Sequence, residues 1–307
     1  MPLCFAAAQA AEIHSLANAP YQKAKRVGTI SNPSIIEASG LATSYQNRNI
    51  LWVINDGGNP PALFALSAQG ETVGEFTIEN AQNRGWEDLA SFCLNDTNFL
   101  MIADVGDNFR MRNFYSLYVV KDPDIQKYPS QKDNLLDIAW QIKFQYEDGP
   151  KDCEAIAVDP QEKRILLLSK RTKPPILYEL PLKLKTTDTI LTARRIARLT
   201  NIPPPTKGDL KGRNGKYRSL PTAMDLSPDG KTLIILTYQH AYYYRRDTNQ
   251  TWKEVFLKKP QIILLPHPHT SELKLREALC IDPINGELFV TSEYASAPIY
   301  SLKPSGQ

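Results

Sequence analysis

The sequence predicts an all-β fold, a β-propeller of five blades closed by a strand from near the N-terminus. A strand-pair signature occurs five times, Asp, Pro, Asn and Gly turns separate its strands, and the last unit stops one strand short. Self-similar units of several short strands, spaced by some tens of residues, are the pattern of propeller blades.

The signatures run in order. Ser39-Gly40-Leu41-Ala42 precedes the apolar run 50–54 (ILWVI) and Asn55-Asp56. Glu87-Asp88-Leu89-Ala90 precedes 99–103 (FLMIA) and Asp104. Glu154-Ala155-Ile156-Ala157 precedes 164–169 (RILLLS) and Lys170. Thr222-Ala223-Met224-Asp225 precedes 232–237 (TLIILT) and Tyr238. Glu277-Ala278-Leu279-Cys280 precedes 287–292 (ELFVTS) and Glu293. A third apolar run follows in most units, at 62–66, 117–120, 176–180 and 298–302. Asp159-Pro160, Ser227-Pro228-Asp229-Gly230 and Asp282-Pro283-Ile284-Asn285-Gly286 supply the hairpin turns. Small residues at Gly40, Ala155, Ala223 and Ala278 suit first strands crowded around an axis, and the large Leu41, Leu89, Ile156, Met224 and Leu279 alternate with them. Asp88 and Asp225 break this rule.

The fifth unit lacks an outer strand, which residues 26–31 (RVGTIS) can supply, removing two exposed edges. A sixth, degenerate blade between Ile190 and Leu220 is the alternative. That stretch otherwise reads as an outer strand and a loop, with Pro203-Pro204-Pro205 followed by a basic, Gly-containing run at 207–218.

A chain of 307 residues, 42% hydrophobic, can bury the core of one propeller domain, here residues 25–307. A net charge of +3 without a long basic run argues against nucleic acid as a partner. No apolar run approaches the roughly 18 residues of a membrane span. Residues 1–24 read as the remnant of an export signal and a leader, with Ala8-Gln9-Ala10 in the small-x-small form of a cleavage site. The expected location is periplasmic or secreted, and the expected state is a monomer meeting a small-molecule or envelope ligand. The sequence around Cys4 is not that of a lipoprotein cysteine, and Cys93, Cys153 and Cys280 read as buried free thiols.

In an up-and-down blade, the start of the first strand and the end of the second share one face. Ser39, Glu87, Glu154, Thr222 and Glu277 then lie near the channel, with Asp56, Asp104, Lys170, Tyr238 and Glu293 just outside it. Nearby loops add Asp107, Asn108, Arg171 and His240. Clustered carboxylates repel, so they need a cation, shared protons or basic partners. Oxygen donors suit calcium: Glu87, Glu154, Glu277, Asp107 and Asn108 are the candidate ligands. Asp56 or Asp104 is the candidate base, Lys170 the group that holds developing negative charge, and Arg171, Tyr238, His240 and Glu293 the substrate contacts. The plainer reading is that the glutamates bind channel amides and water, and that Lys170 and Arg171 neutralise them. The loop Asp104-Val105-Gly106-Asp107-Asn108 has calcium-loop residues without EF-hand spacing, and His267-Pro268-His269 is too isolated for a zinc site.

The ordered motifs LWVINDGG, GWEDLASF, IADVGDNFRMR, DCEAIAVD, TAMDLSPDG and REALCIDP, spread over residues 36–302, resemble a group of secreted bacterial propeller proteins, most without an assigned activity. The resemblance implies a propeller fold and export. More distantly, the acidic channel is similar to that of calcium-dependent propeller hydrolases: paraoxonase-type lactonases, gluconolactonases and propeller phytases. Their motifs are not matched residue by residue, so no catalytic assignment follows. Two functions fit: a metal-dependent hydrolase of an ester, lactone or phosphoester, and a non-catalytic module binding a protein or envelope glycan, for which Tyr242-Tyr243-Tyr244 is a candidate surface.

Overall fold

The computed structural model describes residues 20–128, 134–183, 189–212, 214–267 and 271–306. The export-signal motif and Cys4 lie outside the described residues. Each signature forms an antiparallel unit. The first is β2 (Ala38–Thr43), β3 (Ile50–Asn55), β4 (Ala62–Ser67) and β5 (Thr72–Ile78). The second is β6 (Trp86–Leu94), β7 (Thr97–Asp104), β8 (Tyr115–Lys121) and, after the short β9 (Asn134–Leu136), β10 (Trp140–Tyr146). The third is β11 (Cys153–Asp159), β12 (Arg164–Ser169), β13 (Ile176–Pro181) and β14 (Leu191–Arg198). The fourth is β15 (Pro221–Leu226), β16 (Thr232–Thr237), β17 (Ala241–Arg245) and β18 (Gln261–Ile263). The fifth is β19 (Arg276–Ile281), β20 (Leu288–Ser292) and β21 (Pro298–Leu302), completed by β1 (Lys25–Thr29).

The result is an all-β, propeller-like molecule of four sheets. Strand β1 pairs antiparallel with β21, from Lys25 opposite Ser301 to Thr29 opposite Pro298, so the two ends of the chain share one sheet. The first unit gains β9 at its outer edge, parallel to β5. The second and third units merge through their outer strands, β10 running parallel to β14, into one eight-stranded sheet. The innermost strands β2, β6, β11, β15 and β19 touch in cyclic order, with β19 returning to β2. Among the described residues between Ile190 and Leu220 the chain adds β14 and two single 3-10 turns, at Asp209–Lys211 and Gly215–Tyr217, and no further blade. Among the described residues, no helix is long and apolar enough to cross a membrane.

Burial follows position in the sheet. Strands β2, β11 and β19 are buried at every residue, whereas β14 alternates toward solvent. At the axis adjacent backbones nearly touch: a Cβ on Gly40 would lie 2.7 Å from the Leu89 amide nitrogen. Asp88 and Asp225, the exceptions to the small-residue rule, tie these strands together. Asp88 Oδ2 accepts the amides of Ile156 (2.8 Å) on β11 and Met224 (3.3 Å) on β15. Asp225 Oδ2 accepts the Ile281 amide on β19 (2.8 Å). Without them the amides would stay buried and unpaired. Another staple, Asp122, accepts Trp52 Nε1 (2.9 Å), the Ser44 hydroxyl, and the amides of Tyr45 and Gln46, joining the first unit to the second. Cys153 and Cys280 are buried thiols as expected, but Cys93 is exposed, because strand alternation at the outer end of β6 buries Phe92 and Leu94 and turns Cys93 to solvent.

Candidate functional site

Each unit carries a register shift at the same place, between Ala38 and Gly40, Trp86 and Asp88, Cys153 and Ala155, Pro221 and Ala223, and Arg276 and Ala278. The skipped residues are Ser39, Glu87, Glu154, Thr222 and Glu277. A bulge re-aims the side chain it carries, and here it gathers three glutamates at one end of the channel. All three are buried. A side chain on Gly106 would overlap the Glu87 carboxylate, so the glycine of the DVGDN loop serves as a spacer for that group.

The carboxylates form a chain bridged by one cation. Asp56 and Glu154 lie within hydrogen-bonding reach of Glu87, and Glu293 within reach of Glu277. Lys170 Nζ stands 2.6 Å from Glu154 Oε2 and 3.7 Å from Glu277 Oε2. Tyr238 donates its hydroxyl to Glu277 Oε1, and Lys170 Nζ lies 5.2 Å from the centre of its ring. Burial and the neighbouring carboxylates push Glu154 up to about 8 despite the pull of Lys170. Glu277 and Glu293 rise to about 7, with burial the largest cause. Glu87 is also raised well above its ordinary value, by burial and then by the charges of Glu154 and Asp56. Burial also raises Asp56. The surrounding carboxylates hold Lys170 ionised against its own desolvation. Near neutral pH the ring therefore keeps protons as well as its lysine, because water is too scarce there to solvate so many negative charges.

The other candidate residues have different partners. Asp104 is bound by Arg112 Nη1 at 2.9 Å. Asp107 accepts the amides of Met111 and Arg112 and the Tyr115 hydroxyl, each at 2.9 Å, closing its own loop. Asn108 accepts from Arg171, whose Nε also lies 2.6 Å from Asp152 Oδ2. His240 sits on the β16–β17 turn beside Arg276, and burial holds it neutral, with a pKa lowered to about 4. Asp104, Asp107, Asn108 and His240 thus stand outside the carboxylate chain. Tyr242 and Tyr244 are buried, so the triple-tyrosine run is not an exposed patch.

A cavity of about 750 Å³ opens beside the chain, lined by Lys170, Arg171, Tyr217, Arg218, Tyr238, Lys274 and Tyr294 among others. Lys170 and Tyr238 belong to both the cavity and the carboxylate cluster. Tyr217, Arg218 and Lys274 come from segments outside the repeat signatures, of which only the basic 207–218 run stood out in the sequence, whereas Tyr294 follows Glu293 on the β20–β21 turn, the place Arg171 takes in the third unit. The fit for calcium is poor. Among the described residues, no group of three or more His, Cys, Asp or Glu side chains is disposed to hold a metal ion. The cation between Glu154 and Glu277 is the ammonium of Lys170.

No protein-family model matches the chain, and a search of curated proteins found no match. Among solved structures, it is similar to hydrazine synthase from Kuenenia stuttgartiensis, at 11% identity, 88% coverage of this chain, 72% of that chain and a TM-score of 0.42. It is also similar to the PQQ-bound aldose sugar dehydrogenase from Streptomyces coelicolor, at 9% identity, 91% and 96% coverage and a TM-score of 0.47.

Proposed function

We propose that the chain is a five-bladed propeller whose channel-mouth face binds a small molecule and hydrolyses an ester, lactone or phosphoester bond by acid–base chemistry. The blade count takes the eight-stranded sheet as two blades joined at their outer edges, in keeping with five innermost strands in a cycle. The function rests on one observation: Lys170 and Tyr238 line the cavity on one side and contact the carboxylates on the other. A bound substrate meets the ammonium and the phenol, and the carboxyls behind them exchange protons. Glu277 and Glu293, at about 7, populate both protonation states near neutral pH, as a general acid and base require. Lys170 holds negative charge as it develops on the substrate oxygen, in a site with little water to compete. One of the half-buried members, Glu293 or Asp56, takes the proton of the attacking water in its ionised form, and protonated Glu277 supplies the proton of the leaving oxygen by way of the Tyr238 hydroxyl it contacts. We place this activity in the periplasm or outside the cell, following the leader motif.

A hydrolase screen over esters, lactones and phosphoesters, with and without chelator, tests the reading. Turnover that survives chelator and falls at least a hundredfold in Lys170→Met supports it. Equal rates in wild type and Lys170→Met refute it. Calcium binding is the competing proposal, and it requires Glu154 and Glu277 to exchange the ammonium for the ion. A non-catalytic ligand-binding propeller is the reading left if no substrate turns over.

A further inference from the structure

The cavity wall has an unbalanced composition. Among the described residues, four of its side chains are cationic, namely Lys170, Arg171, Arg218 and Lys274, and none that line it is Asp or Glu. Lys170 is paired with Glu154 and Glu277 and Arg171 with Asp152, and the charge of Arg218 also reaches the Asp209 carboxylate. Arg218 and Lys274 come from the other side. Arg218 is buried although charged, and Lys274 is exposed at the rim. A third cation stands just behind them. Arg276 is fully buried, and its guanidinium is held by the carbonyl oxygens of Tyr238, Gln239 and Pro266. Arg276 and Arg218 lie close enough for the charge of Arg218 to act on Arg276, so two guanidinium groups and the Lys274 ammonium share this side of the cavity. Three aromatic rings complete the walls. Tyr238 and Tyr294 have their hydroxyls engaged, by Glu277 and by the Glu272 carbonyl, which leaves their ring surfaces as the contact area.

Cations and ring faces without an acid suit one kind of occupant. We propose that the cavity takes a ring-bearing organic anion, its carboxylate or phosphate seated on Arg218 and Lys274 and its ring against the tyrosines. This inference rests on the cavity being the substrate site and names the substrate class. The acidic ring then lies on the far side of Lys170, away from the ligand's charge.

Isothermal titration with benzoate, phenyl phosphate, inorganic phosphate and neutral benzyl alcohol tests it. Benzoate or phenyl phosphate should bind at least about tenfold more tightly than benzyl alcohol, and added sodium chloride should weaken them. The relative affinities of benzoate, phenyl phosphate and inorganic phosphate separate carboxylate from phosphate and show what the ring contributes. Lys274→Gln, a change at an exposed position, should weaken the aromatic anions about tenfold and leave benzyl alcohol unaffected. Benzyl alcohol binding as tightly as the anions, no binding of either aromatic anion, or Lys274→Gln without effect would each overturn the proposal. Turnover of neutral substrates without anion preference overturns it and leaves the hydrolase reading standing. Anion binding with no turnover of any substrate does the reverse.

Discussion

Replacing Glu154 with Gln gives a direct reading of the proton-holding ring. In the unfolded chain the carboxyl ionises near its ordinary value of 4.5, and in the folded protein near 8. Below about pH 4.5 both states are protonated and this group does not affect stability. As pH rises from there to 8, the unfolded chain releases the proton and the folded chain keeps it. Stability therefore falls with rising pH, by up to about 1.4 kcal/mol per pH unit for one proton. Over the whole window the loss approaches about 5 kcal/mol. Glu154 is almost fully buried, so solvent screening reduces this little. Gln cannot ionise, and Lys170 retains Glu277 at 3.7 Å. The variant should show a stability–pH slope flatter by about one proton, with a residual slope from Glu87, Glu277 and Glu293. Urea denaturation at steps from pH 5.5 to 8.5, with and without chelator, measures this. Wild-type stability that is flat or rises with pH, or a variant with the wild-type slope, refutes the reasoning. A calcium-filled site gives a different result: chelator lowers the midpoint, and calcium at a hundred times its dissociation constant adds about 2.7 kcal/mol.

Lys170→Met removes the cation shared by Glu154 and Glu277 and should cost roughly 3–5 kcal/mol at pH 8.5, where both carboxyls would ionise. The cost should shrink at pH 5.5, where both hold protons; urea melts at the two pH values test the difference. Asp122→Ala leaves Trp52 Nε1, a hydroxyl and two amides without their acceptor. It should destabilise by about 3 kcal/mol or more in urea denaturation, with catalytic constants unchanged, because Asp122 lies away from the cavity. Deleting residues 1–31 removes β1 and exposes the β21 edge, so the shortened chain should unfold at lower urea and self-associate in size-exclusion chromatography.

Much of the candidate site was legible because it repeats. Glu87, Glu154 and Glu277 hold equivalent positions in units that surround one axis, so folding brings them together wherever the details fall. Simple alternation, however, does not explain why they turn into the channel, since Glu87 and Asp88 are neighbours and both are buried there. The bulge shared by all five units resolves this, and its presence depends on strand register, which a single chain does not display. The partners of the DVGDN loop were hidden in the sequence for a related reason. Its carboxylates resemble metal ligands in composition, but Asp107 is occupied by amides only a few residues on, and Asp104 by Arg112.

Local chemistry along the chain was enough to determine the five apolar strand pairs, their turns, the small residues at the axis and the N-terminal strand that pairs with the last unit. These depend on periodicity and on contacts every chain of this pattern must make. Only the tertiary structure decided which charges meet. Lys170 bridges glutamates 16 and more than 100 positions away. Arg218 and Lys274 reach one cavity from loops that share no repeat. Pairings of this kind depend on distances across the ring and on how much water burial removes, and neither quantity is written in the order of the residues.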